Sequence, residues 1–241
     1  MILSRVFEKF AKGTPVSVMI RGSLEYALPE SFVNEVFETT AVRQYTRDLL
    51  FSDVVDVMAN VVCQVFPSVN VAYQKQQEQF SVSRRALYDK INLVEPRVTR
   101  ELVVQTAQRL EPVVKRLQKK SSRAPLLPGF QVRILDGNHL AATQHRIQEL
   151  RDIAAGPLPG QTLAVLDPDR RLIVDAFPCE DGHAQERSLL IDVLDSMQPD
   201  EVWIADRNFC TSLFLFQTAM NKAYFAIRQH ATNVRWEIST S

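Results

Sequence analysis

Two aspartates in this chain stand at strand ends, where a pair of carboxylates could hold a metal ion. Asp136 closes Val132-Arg-Ile-Leu-Asp136 and precedes Gly137-Asn138; Asp206 closes Glu201-Val-Trp-Ile-Ala-Asp206 and precedes Arg207-Asn208-Phe209. Each follows a mostly apolar, β-branched run, so each carboxylate falls where a buried strand meets a loop. In open α/β sheets, ligands bind beyond the carboxyl ends of strands at a switch in strand order. Neighbouring strands lie ~4.8 Å apart, so two carboxylates at adjacent tips can share a divalent ion. Hard oxygen donors suit Mg²⁺, with Mn²⁺ as a substitute. A pair of such ions stabilises both the attacking and the leaving oxygen of an in-line phosphoryl displacement. The same residue type also forms caps and turns, and spacing alone leaves both readings open.

Other reactive side chains carry weaker signals. His139, His145, His183 and His230 have no metal-ligand spacing with a cysteine and read as solvated loop residues. Ser188 and Cys210 lack a nucleophile motif such as G-x-S-x-G. Arg207 directly follows Asp206, so on extended backbone it points away from that carboxylate, toward a phosphate or another acid. A different chemistry is suggested by Gln76-Gln-Glu-Gln-Phe-Ser-Val-Ser-Arg-Arg-Ala-Leu-Tyr-Asp-Lys-Ile. A polar turn at Ser81-Val-Ser83 precedes a basic helix over 84–91, with Ala86, Leu87 and Ile91 expected inward. Arg84, Arg85, Tyr88 and Lys90 are then left for DNA, in the layout of a helix-turn-helix whose second helix enters the major groove. A cationic surface helix is the plainer alternative.

The elements that must position these residues change type along the chain. Phe32, Val33, Val36 and Phe37 recur at helical spacing, as do Leu49, Leu50, Val54, Met58, Val61, Val62 and Val65 across 45–66, where Pro67 ends the run. A third helical stripe runs over 95–120, with Pro112 expected to kink it or open a second helix. Ser121-Ser-Arg-Ala-Pro-Leu-Leu-Pro-Gly then reads as a linker. Beyond it, strands are expected over 132–136, 162–166, 172–177, 201–206 and 224–228, the second and third joined by Asp167-Pro-Asp-Arg. Helices over 184–197 and 211–221, the latter capped by Thr211, intervene. The order β, ββ, α, β, α, β predicts an α/β fold with a mixed sheet. Two domains are expected, a helical DNA-binding region over 1–125 and a sheet core over 126–241.

Composition agrees with that division. The chain has 241 residues, 46% hydrophobic and 23% charged, which excludes a wholly disordered chain and a collagen. No apolar run reaches the ~20 residues of a membrane span, no signal peptide is evident, and three cysteines at 63, 179 and 210 form no disulfide framework. Cytoplasmic residence and buried thiols are therefore expected. The net charge is zero, yet residues 1–130 carry 18 Lys and Arg against 13 acids, while 131–241 carry 10 against 15. From Lys75 to Arg123 the count is 12 against 5. A basic half followed by an acidic half suggests a polyanion-binding part joined to a carboxylate-bearing part.

The predicted strand order resembles the ribonuclease-H-like fold. More narrowly, Ile134-Leu-Asp-Gly-Asn-His-Leu, Leu158-Pro-Gly-Gln, Val165-Leu-Asp-Pro and Ile204-Ala-Asp-Arg-Asn-Phe resemble DDE transposases of the insertion-sequence-four family. Arg43-Gln-Tyr-Thr-Arg-Asp-Leu-Leu-Phe-Ser and Phe66-Pro-Ser-Val-Asn-Val-Ala-Tyr resemble that family's leading helical region. The resemblance implies DNA transposition by metal-dependent cleavage and strand transfer. It implies Asp136 and Asp206 as the first two catalytic acids and metal ligands, transposon ends and target DNA as partners, and self-association on DNA. The family's third acid lies in a Tyr-x2-Arg-x3-Glu-x6-Lys pattern that these residues do not contain. Glu237, flanked by the alternating Val234, Trp236 and Ile238, reads as the start of a β-rich insertion instead. The expectation is a chain cut before its active site is complete, localised with the nucleoid when bound to DNA. A hydrolytic metal-dependent nuclease and a non-catalytic DNA-binding inhibitor are the alternatives.

Overall fold

The computed structural model describes residues 22–23, 25–46, 48–62, 65–118, 124–139, 161–179 and 189–229. Contacts divide the chain into two compact units, Met1–Val113 and Val114–Ser241.

The first unit is helical. Helices α1 (Glu30–Thr40), α2 (Phe51–Val62), α3 (Val69–Gln76), α4 (Arg84–Asn92) and α5 (Pro96–Gln118) follow one another, α5 running on into the second unit. Their apolar stripes meet in one core: Phe32, Val33, Val36 and Phe37 from α1, Val54 and Val57 from α2, Ala72 and Tyr73 from α3, Leu87 from α4 and Val98 from α5. α2 is shorter than the 45–66 stripe implied. Asp53 accepts a hydrogen bond from the Leu50 amide at 3.0 Å and fixes the start of the helix there, the role of an acid at the third helical position. Pro112 lies inside α5 and opens no second helix. Its missing N–H frees the Gln108 carbonyl, and both residues are exposed, so water can replace that bond.

The second unit contains a five-stranded sheet. Strands β1 (Gln131–His139), β2 (Gln161–Asp167), β3 (Leu172–Cys179), β4 (Glu201–Ala205) and β5 (Tyr224–Ile227) lie in the order β3-β2-β1-β4-β5. β1 pairs antiparallel with β2 and parallel with β4, and β4 pairs parallel with β5. Helices α6 (Leu190–Ser196) and α7 (Ser212–Met220) supply the crossovers that parallel pairing needs. Their Leu190, Val193, Leu194, Phe214 and Leu215 share a core with Leu135, Leu163, Val165, Phe177 and Trp203 of the sheet. Thr211 caps α7 as expected, its hydroxyl accepting from the Phe214 amide at 3.2 Å. This α/β architecture with a mixed sheet is compatible with a ribonuclease-H-like core.

Within the stretch read as a linker, 124–129 is described and ends in a tight turn. Phe130 N–H donates to the Leu127 carbonyl at 3.2 Å across Pro128-Gly129. Gly129 has φ +87°, which the third position of a type II turn requires and a side chain would resist. Among the described residues no helix is long and apolar enough to cross a membrane. Cys210 is buried and Cys179 half-buried, both free thiols. Cys63, Ser188, His145, His183, His230, Trp236 and Glu237 lie outside the described residues.

Candidate metal and nucleic-acid sites

Asp136 does not close its strand. β1 continues through Gly137 and Asn138 to His139, because β2 keeps pairing with it antiparallel, Asn138 opposite Thr162 and His139 opposite Gln161. Gly-Asn has turn chemistry, and long-range pairing overrides it here. Toward β4 the pairing does stop: the last parallel partners are Leu135 and Ala205. The next residue along β1 is Asp136 and the next after β4 is Asp206. Extended backbone at Asp206, φ −74° and ψ 172°, carries the strand direction one residue further. The two aspartates therefore stand at one level of adjacent parallel strands, ~4.8 Å apart by strand spacing. Side chains alternate along a strand, so both lie on the face opposite Leu135 and the helix-covered core. Both are exposed.

Asp206 also shapes the backbone that follows it. Its Oδ1 accepts from the Asn208 amide at 2.8 Å and caps the 3₁₀ turn Arg207–Phe209. Phe209 and Cys210, 1% and 2% exposed, pin that turn into the core. The cap reading of this aspartate is thus realised. A carboxylate has about four lone-pair sites, so one bond leaves capacity for an ion and holds the group in one rotamer. Among the described residues, no lysine or arginine forms an ion pair with Asp136 or Asp206, and no group of three His, Cys, Asp or Glu is close enough to share a metal. Two adjacent hard oxygen donors fit Mg²⁺, which binds through one or two carboxylates and keeps waters on its other positions. Arg207 is exposed on the 3₁₀ turn.

The same sheet holds a second group of acids that sequence reasoning missed. Arg133 donates from Nε to Glu201 at 2.9 Å, from Nη1 to Asp167 at 2.7 Å and from Nη2 to Gln131 at 2.9 Å. Arg170 also pairs with Asp167. Glu201 further accepts from the Trp203 indole at 3.0 Å and the Gln198 amide at 2.9 Å. Burial works against the Asp167 carboxylate, but the Arg170 amide and guanidinium together with Arg133 outweigh it and hold its pKa below the usual value. Here the fold supplies its own cations, so these acids serve structure. One signal was legible: Arg133 is a lone charge inside the apolar run Val132-Arg-Ile-Leu.

In the first unit, α4 starts where the polar turn predicted. Ser83 caps it by accepting from the Ala86 amide at 3.3 Å. Leu87 is fully buried, but Ala86 is exposed, since the inward stripe of this short helix is narrower than expected. The four side chains read as DNA contacts differ. Arg84 is exposed and donates to Asn70 Oδ1 at 2.9 Å, and Arg85 lies 3.8 Å from Asp89 with its side chain 91% exposed. Tyr88 is half-buried against the core. Lys90 donates to the Tyr45 carbonyl at 3.1 Å and sits 4.0 Å from the Phe37 ring centre, and burial lowers its pKa. Arg84 and Arg85 therefore form the accessible basic end of α4, whereas Lys90 is engaged within the unit.

No family model matches the chain. No curated protein matches it either.

Proposed function

We propose that this chain belongs to the DNA-cutting and -joining machinery of a DDE transposase of the insertion-sequence-four type. The helical unit would engage DNA, and the sheet unit would contribute the first two acids of a metal-dependent phosphodiester site. The observation that carries this reading is the parallel register of β1 and β4, whose last partners, Leu135 and Ala205, bring Asp136 and Asp206 to one level. The neutralised Asp167–Glu201 cluster sharpens the contrast, because the Asp136–Asp206 pair has no such arginine among the described residues.

Asp136 and Asp206 would hold Mg²⁺, which supplies Lewis-acid stabilisation of a phosphoryl oxygen and a more acidic bound water when present. The protein's part is to fix geometry. Strand pairing sets the spacing of the two carboxylates, and the Asn208 amide sets the rotamer of Asp206. Arg84 and Arg85 would bring the DNA backbone to the protein through phosphate contacts. The third acid implied by the resemblance has no counterpart pattern in residues 1–241, so these residues by themselves are expected to bind DNA and a divalent ion without cutting. The test is a duplex-binding titration combined with a cleavage assay in Mg²⁺ or Mn²⁺. Binding without cleavage supports the reading. Cleavage abolished by both Asp136→Ala and Asp206→Ala would mean the site is complete as it stands, as in the hydrolytic alternative. No binding to any duplex would overturn the reading.

A further inference from the structure

The loop between α1 and α2 is held more firmly than an exposed connection requires. Val42 and Arg43 both donate their amides to one oxygen of Glu95, at 2.7 and 3.2 Å. The Gln44 side chain donates to the Lys90 carbonyl at 3.3 Å, and Lys90 returns a bond to the Tyr45 carbonyl at 3.1 Å. At the loop's start, Ala41 N–H closes α1 on the Phe37 carbonyl at 2.8 Å. Residues 41–45 are thus tied to the junction of α4 and α5. The two amides, with Arg97 and Arg43 nearby, keep the Glu95 carboxyl below its ordinary pKa, so the clamp is charged at neutral pH.

What the clamp presents is unusual for a surface loop. Tyr45 is 60% exposed and Val42 73%, with Leu93 at the end of α4 exposed by 64%. Arg43 is exposed beside them, and the Arg97 side chain is 47% exposed. Apolar and aromatic surface fixed in place beside arginines marks an interaction site. Arg97 offsets the charge of Glu95, which leaves the exposed Arg43 as the uncompensated charge of this group. That charge complements a phosphate backbone. An arginine fork matches phosphate geometry, and a tyrosine ring lies well against a sugar or base. The position fits as well. Nine residues make α4 about 13 Å long, and the major groove is ~12 Å wide. Arg84 and Arg85 at one end of α4 and the clamped loop near the other are therefore separated by about the width of one groove.

We infer that the Glu95-clamped loop 41–45 is a second DNA contact, with Arg43 on a phosphate and Tyr45 against the adjoining sugar or base. The inference rests on α4 being a DNA-contacting helix and extends that site. It is tested by fluorescence anisotropy of the full chain with a mixed-sequence duplex over a range of salt. Losing one phosphate contact should reduce the log–log salt slope by about one. Arg43→Ala should do this and weaken binding, and Arg43→Lys should restore the slope. Tyr45→Ala should weaken binding without changing the slope, and Tyr45→Phe should bind as the parent does. Glu95→Ala should reproduce the Arg43→Ala loss by releasing the loop. If Arg43→Ala and Tyr45→Ala bind as the parent while Arg84→Ala/Arg85→Ala does not, the loop is no contact and the α4 reading stands. If the parent chain itself binds no duplex, the α4 reading fails and the loop inference falls with it.

Discussion

Replacing Asp206 separates its cap role from the metal role proposed for it. As a cap, its Oδ1 accepts the Asn208 amide at 2.8 Å. Asparagine keeps that acceptor and ranks with aspartate as a cap, while alanine removes it at a cost of about 1 kcal/mol. For a domain of this size, that loss lowers the melting temperature by about 4 °C. In the proposed metal site, Asp206 would act through its charge. A carboxylate ~2.1 Å from a dication in a water-like dielectric contributes about 4 kcal/mol before desolvation. Offsetting half of that for desolvation leaves about 2 kcal/mol, or about 30-fold in Kd. Asp206→Asn should therefore melt with the parent and bind Mn²⁺ about 30-fold more weakly. Asp206→Ala should show both losses. Thermal melts and Mn²⁺ titrations followed by electron paramagnetic resonance read the two effects independently. Unchanged Mn²⁺ affinity in Asp206→Asn would refute the ligand role and leave the aspartate as a cap alone.

Other outcomes follow from the same structure. Arg133→Met should destabilise the sheet unit by about 3–5 kcal/mol, because Asp167 and Glu201 would remain buried without their shared cation; chemical denaturation measures this. The folded pKa of Asp167 is depressed, so its contribution is fully present above the ordinary carboxylate value of about 3.9 and is lost as pH falls through the lower folded value. Melting followed from pH 6 down to pH 2 should show that loss, and Asp167→Asn should flatten the dependence. Binding of the helical unit to duplex should fall with salt by about 0.9 log units per phosphate contact, with a shallower slope in Arg84→Ala/Arg85→Ala. Among the described residues the short strand β5 pairs only with β4, and it exposes Tyr224 and Phe225, so its amides should exchange faster than those of β2 in a hydrogen-exchange experiment.

Much of this was legible in the sequence, for stated physical reasons. Short apolar, β-branched runs and the Asp167-Pro-Asp-Arg turn located the five described strands, and their order with the intervening helices implied a mixed sheet. Thr211 was readable as a cap because a hydroxyl before an apolar run satisfies free helix amides, and the polar turn at 81–83 marked the start of α4. Boundaries were less legible where a distant partner decides them. β1 outlasts the Gly137-Asn138 turn signal because β2 supplies its hydrogen bonds, and α2 starts late because Asp53 caps it. The adjacency of Asp136 and Asp206 was conditional in the sequence, since it depends on which strands pair. The Arg133–Asp167–Glu201 cluster was out of reach for the same reason: residues 34 and 68 positions away meet only after the sheet forms. The contacts of Lys90 were not legible, because a helix pattern does not reveal that its ammonium reaches the Tyr45 carbonyl and the Phe37 ring.

Asp136 and Asp206 are proposed to hold one divalent ion between β1 and β4. Iron-directed cleavage tests it most directly. Fe²⁺ takes the place of Mg²⁺, and ascorbate with peroxide then generates hydroxyl radicals that cut the backbone within reach of the bound ion. Two cuts are expected, near residues 136–138 and near 206–208, both suppressed by excess Mg²⁺ and absent in Asp136→Ala. Cuts confined to other segments, or a pattern unchanged in Asp136→Ala, would contradict it.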